Sequence, residues 1–92
     1  MSKFMIETIH SDSMQACEEI VRYFLNSGSH YLSNADWGCS AGEHKCWIIV
    51  EAASDDEALE IVPHQYRKDT RVIKLDQFNL ETVDEVFGPY HN

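Results

Sequence analysis

The sequence predicts an α+β fold built on one four-stranded antiparallel sheet. Three observations carry this expectation. Alternating and amphipathic segments follow one another as strand, helix, strand, strand, helix, strand, with a short helix added at the C-terminus. The 92 residues contain no repeat, low-complexity tract or linker, so one domain over residues 1–92 accounts for the chain. Hydrophobic residues at 43 % and charged residues at 25 % describe a soluble globular protein.

Each element has its own signal. "KFMIETIH" (3–10) alternates and reads as the first strand. "SDSMQACEEIVRYFLNSG" reads as a helix. Asp12 is its candidate N-cap with Gln15 three residues on, Met14, Cys17, Ile20, Val21, Phe24 and Leu25 form one stripe, and Gly28 fits the left-handed stop. "SHYLSNADW" (29–37) and "HKCWIIVEAA" (44–53) read as two strands joined by the turn "GCSAGE". "SDDEALEIV" opens with the capping box Ser54 and Glu57 and ends at Pro63. "TRVIKLDQF" (70–78) is the fourth strand, and "NLETVDEVF" is a last helix between Asn79 and Gly88. This is the ferredoxin-like, or split βαβ, pattern. Two right-handed crossovers give the strand order 4-1-3-2 with both main helices on one face. The other face stays apolar enough to need cover, which a second copy supplies.

Charge and cysteine content narrow the partners. The net charge of −9 repels phosphate backbones and anionic membranes, so no nucleic-acid or membrane partner is expected. No apolar run reaches membrane-spanning length, and "MSKFMIETIH" lacks the apolar run of a secretory signal. Three cysteines, Cys17, Cys39 and Cys46, with no export signal favour reduced thiols and a cytoplasmic protein. A Cys39–Cys46 disulfide across the turn is a further candidate.

Pairing the two middle strands across their turn sets Trp37 by His44 and Ala35 by Cys46 on the helix side. On the open side Asp36 meets Lys45, Asn34 meets Trp47 and His30 meets Glu51. The open side thus mixes apolar and polar groups, as pocket walls do. His30, Asn34, Asp36, Trp47 and Glu51 are the candidate small-molecule ligands there. The alternative is a plain interface between two copies.

One end of the sheet gathers different chemistry. The first strand finishes at His10, the turn holds Cys39, the third strand begins at His44, and the loop before the fourth strand carries His64. Imidazole and thiolate suit transition metals such as zinc and nickel, so His10, Cys39, His44 and His64 are candidate metal ligands. The spacing is not the paired C-x-x-C of a structural zinc site. The same residues could run chemistry, with Cys39 as nucleophile beside His10 or His44, but no third orienting group is visible. Glu7, Glu51 and Asp36 are candidate bases if the face is enclosed. Arg67 in "HQYRKD" is a candidate fork for a carboxylate, against the plainer reading of a solvated loop. No particular reaction follows from the sequence.

The whole chain resembles small bacterial proteins of the ferredoxin-like, dimeric α+β barrel type. "GSHYLSNADWGCSAGEHKCWIIVEA" followed by "VPHQYRKDTRVIKLDQF" looks like one family within that group, whose wider membership includes muconolactone isomerase-like enzymes, small monooxygenases and nickel-binding proteins. The resemblance implies a homodimer with sheets face to face. It implies no one reaction, and no catalytic residue carries over. Three functions remain open: a homodimer binding a small molecule on its open face, a transition-metal-binding protein, and a domain for protein association alone.

Overall fold

Alternation along the first segment fixes the centre of the molecule. β1 (Ser2–Ile9) sends Phe4, Ile6 and Thr8 to one face, where all three are buried, and Lys3, Met5, Glu7 and Ile9 to the other. The computed structural model describes residues 1–90, so residues 91 and 92 of the expected domain lie outside the description. β1 runs between β3 (Lys45–Ala52) and β4 (Thr70–Leu75), antiparallel to both, and β2 (Asp36–Trp37) adds a short edge beside β3. The order across the sheet is β2-β3-β1-β4, which read from the opposite edge is 4-1-3-2.

One face of this sheet is covered by helices. α1 (Met14–Asn26) buries Cys17, Ile20 and Phe24 against it. α2 (His30–Ser33) contributes Leu32, and α3 (Asp55–Leu59) contributes Ala58. Ile20, Phe24, Leu32 and Ala58 join Phe4, Ile6, Cys46, Ile48, Val50, Ala52 and Val62 in the core. Phe24 closes it, with its ring 5.3 Å from Trp37 and 5.8 Å from Tyr66. On the opposite face Ile9 and Ile49 are about half exposed. Among the described residues no helix is long and apolar enough to cross a membrane.

Several boundaries differ from the expectation for physical reasons. The cap of α1 is Ser13, not Asp12: the Ser13 hydroxyl accepts from the Ala16 N–H. Met14 and Leu25 belong to the expected stripe but lie exposed at its margins. The largest difference is the second strand. Residues 30–33 make a helical turn, and only Asp36 and Trp37 extend as strand. Polar side chains drive this. Ser29 accepts from the Leu32 N–H, while the Ser33 hydroxyl and the Asn34 amide both donate to the His30 carbonyl. Short polar side chains that bond nearby backbone compete with a sheet ladder in this way.

The hairpin pairing also shifts. Asp36 lies opposite Trp47 and Trp37 opposite Cys46, two residues from the expected register. The faces survive because the strand period is two: Trp37 and Cys46 pack toward the helices, and Asp36 and Trp47 share the open side. A 3-10 turn over Cys39–Ala41 takes up the extra length, closed by Gly42 at φ 84°. Gly38 is held tightly, since a Cβ there would sit 2.7 Å from the Glu43 carbonyl oxygen. β4 ends at Leu75, three residues short of the expected strand, and the chain runs on to α4 (Val83–Phe87).

Candidate metal centre

Three backbone features converge at one end of the sheet. The His10 N–H donates to the His44 carbonyl at 3.0 Å, which extends the β1–β3 ladder by one rung. The Gly38 N–H donates to the Lys45 carbonyl at 3.0 Å, which folds the hairpin turn over that rung. Cys39 opens the turn and points inward, 7 % exposed. His10, Cys39 and His44 therefore meet. One ligand atom from each lies within 4.8 Å of the others, the one such His, Cys and acid group among the described residues. The ligand separations in a tetrahedral zinc site are about 3.3–3.6 Å, given bonds of about 2.0–2.3 Å, so the group needs only a small contraction.

The surroundings of both imidazoles suit metal binding. His10 Nδ1 lies 3.0 Å from the Ser11 carbonyl. A carbonyl only accepts, so the tautomer protonated on Nδ1 satisfies it and leaves Nε2 a lone pair for a metal. That Nε2 lies 3.3 Å from the Cys39 sulfur. A histidine that donates one nitrogen to a carbonyl and offers the other is the usual arrangement behind a metal ligand. His44 adds a stronger signal: its Nδ1 is buried with no hydrogen-bond partner. An orphaned buried nitrogen is uncommon in a folded protein and calls for an explanation. The two imidazoles meet edge to face at 5.5 Å.

The Cys39 sulfur has a second relation. It forms a disulfide with Cys17, 22 residues away in sequence on α1. This corrects the expected Cys39–Cys46 candidate and stands against the expectation of all thiols reduced. The free cysteine is Cys46, buried in the core. Burial pushes its thiol up to about 11, against hydrogen bonds to Thr8 that act the other way. Cys46 is thus a core side chain, not a ligand. His64 is exposed on the turn before β4 and does not join the group, so the fourth expected ligand drops out. The same 3-10 turn, His64–Asp69, packs Tyr66 against the core while His64 stays exposed.

The expected small-molecule residues divide. His30, Asn34, Asp36 and Trp47 line one shallow hollow of about 330 Å³ with Tyr31, Ile48 and Ile49. It lies at the β2 edge rather than across the open face, because residues 30–33 are helical. Glu51 is elsewhere. It sits opposite Lys3 and borders a separate notch with Lys74 and Leu75. The predicted His30–Glu51 pair does not form.

Glu7 is the charged group that the fold treats most specifically. It lies mid-strand, 6 % exposed, on the open side. Trp47 Nε1 donates to one carboxylate oxygen at 2.9 Å, and Arg71 Nε donates to the other at 2.8 Å. The Trp47 bond, then the Arg71 bond and charge, hold the carboxyl below its ordinary range despite burial. Both oxygens are taken, so Glu7 acts as a bracket across three strands and not as a base. Arg67 is likewise committed. It donates from Nε to the Val62 carbonyl at 2.8 Å and from Nη2 to the Glu60 carbonyl at 3.1 Å, which satisfies the chain after α3 and commits that edge of the guanidinium to backbone.

No protein-family model, curated protein or solved structure matches this chain.

Proposed function

We propose that this protein binds one transition-metal ion, zinc or nickel, through His10, Cys39 and His44 once the Cys17–Cys39 disulfide is reduced. The observation that carries the reading is that His44, whose buried Nδ1 has no partner, gathers with a second histidine and a sulfur. A cation there takes one imidazole nitrogen from each histidine and a Cys39 thiolate together. Two imidazoles and one thiolate leave a fourth position for water or a small ligand, the pattern of an open rather than a structural site. Imidazole with thiolate selects zinc, nickel or copper over magnesium and calcium.

The sulfur cannot serve both bonds. A dithiol reductant splits Cys17–Cys39 into two thiols and leaves as its own disulfide. The metal then displaces the Cys39 proton into solvent. Cys17, on a different element, is released to pack with the core.

Native mass spectrometry of the reduced protein against added Zn²⁺ or Ni²⁺ tests the reading. One bound ion is expected, lost in His10→Ala and His44→Ala and kept in His64→Ala. Equal uptake by all three variants, or none by the reduced wild type, refutes it.

A second reading rests on the hollow of about 330 Å³ that holds four of the expected residues. Here Trp47 forms an apolar wall, and Asp36 and His30 supply polar groups for a small aromatic or cationic molecule. Quenching of tryptophan emission by such compounds, lost in Asp36→Ala, supports it. Unchanged emission across a set of small acids, amines and aromatics counts it out.

A further inference from the structure

Two partners claim the Cys39 sulfur. It is bonded to Cys17, and Nε2 of His10 lies 3.3 Å from it. Cys17 does not belong to the His10, Cys39 and His44 group. It sits on the buried stripe of α1, 6 % exposed, while the three grouped residues come from the end of β1, the turn and the residue before β3. A closed structural zinc site takes its fourth ligand from the protein. Here the sulfur joined to Cys39 lies outside the group, placed to take the thiolate away rather than to complete the shell. The third thiol does not compete. Cys46 is free, buried on β3 and outside both the bond and the group.

We propose that Cys17 and Cys39 form a redox switch on the metal centre: a small oxidising disulfide joins the two cysteines and ejects the ion, and the bound ion in turn holds the pair reduced. This rests on the metal reading above and gives Cys17 a role in it, as the thiol that resolves Cys39.

The exchange moves two electrons, and glutathione disulfide serves as the acceptor. The Cys39 thiolate leaves the ion and attacks one glutathione sulfur, which expels a glutathione thiolate. The Cys17 thiol then attacks the Cys39 sulfur of the mixed disulfide, and the second glutathione departs with the Cys17 proton. The products are the Cys17–Cys39 disulfide, the free cation, one glutathione thiolate and one glutathione thiol. Two imidazoles remain where three ligands stood.

Linkage makes the effect reciprocal. Only the reduced pair offers a thiolate, so free zinc at about a hundredfold above its dissociation constant favours the reduced form by a factor of about a hundred. That factor raises the reduction potential of the pair by about 60 mV, at about 30 mV per tenfold for two electrons.

The test equilibrates the full chain in glutathione buffers of stepped oxidised-to-reduced ratio, with zinc absent or held at that excess. Native mass spectrometry counts bound zinc. Iodoacetamide in urea counts thiols, three in the reduced chain and one once Cys17 and Cys39 are joined. Zinc should move the midpoint about a hundredfold toward the oxidised side, and should leave as the disulfide forms. His10→Ala should lose most of that shift. Cys17→Ser, which lacks the cross-link just as the reduced wild type does, should keep its zinc at the ratio that empties the wild type. A midpoint unmoved by bound zinc, zinc retained after the disulfide forms, or Cys17→Ser emptied at the same ratio overturns the switch. Reduced wild type that takes up no zinc removes the metal reading itself, and the switch with it.

Discussion

Removing the Cys17–Cys39 bond in two different ways separates a structural disulfide from a metal centre. The bond closes a loop of 22 residues. Chain entropy assigns such a cross-link about 3 kcal/mol. For a domain of this size that is roughly 12–24 °C in melting temperature. Cys17→Ser and Cys39→Ser both open the loop, so both should melt lower than the oxidised wild type by that margin. They differ in what remains. Cys17→Ser leaves Cys39 as a free thiol beside His10 and the unpartnered His44 nitrogen. Cys39→Ser removes the sulfur. Zinc at about a hundredfold above its dissociation constant returns about 2.7 kcal/mol, close to what the loop loses. Melting followed by circular dichroism should therefore recover most of the drop for Cys17→Ser with zinc and little for Cys39→Ser. Equal recovery in both, or in neither, refutes the assignment of Cys39 as a ligand.

Three further outcomes follow from the rest of the fold. Glu7→Gln weakens two charge-assisted bonds to Trp47 and Arg71 and should cost about 1–2 kcal/mol by denaturant melting at pH 7, a figure reduced because Arg71 is largely exposed. The Glu7 carboxyl is held below its ordinary range, so its contribution is present above the unfolded value and is lost as pH falls through the folded one; the variant should match wild type at low pH, and an unchanged gap there contradicts the bracket. Gly38→Ala sets a methyl 2.7 Å from the Glu43 carbonyl oxygen and should destabilise by about 1–3 kcal/mol, with zinc uptake lowered because the turn carries Cys39; an unchanged melting temperature contradicts this. Native Cys46, with its thiol pushed up to about 11, should react with iodoacetamide at neutral pH roughly a hundredfold more slowly than in urea; comparable rates contradict its burial.

How much of this was legible in the sequence depends on the element. β1, β3 and β4 follow from alternation, because one side of each packs on the core and the pattern has nothing else to satisfy. The gathering of His10, Cys39 and His44 follows from antiparallel pairing, which sets the end of one strand beside the start of the next. Cys17 was not legible as a partner. It sits on the buried stripe of α1 among Ile20 and Phe24, and a cysteine there reads as core; only the way α1 lies across the strand ends brings it to Cys39. Residues 29–37 misled because Tyr31 and Leu32 suit a strand, while the bonds of Ser29, Ser33 and Asn34 to local backbone decide for a turn. That turn sets His30 and Asn34 at the sheet edge, apart from Glu51. The Glu7 bracket had a signal: a carboxylate amid the apolar residues of a central strand must find donors, and Trp47 and Arg71 lie directly opposite it.

X-ray absorption at the metal edge of reduced, nickel- or zinc-loaded protein tests the metal centre most directly. The account predicts one sulfur at about 2.3 Å and two imidazole nitrogens at about 2.0–2.1 Å, with the sulfur shell gone in Cys39→Ser and retained in Cys17→Ser. A first shell without sulfur, or one that keeps its sulfur in Cys39→Ser, would contradict it.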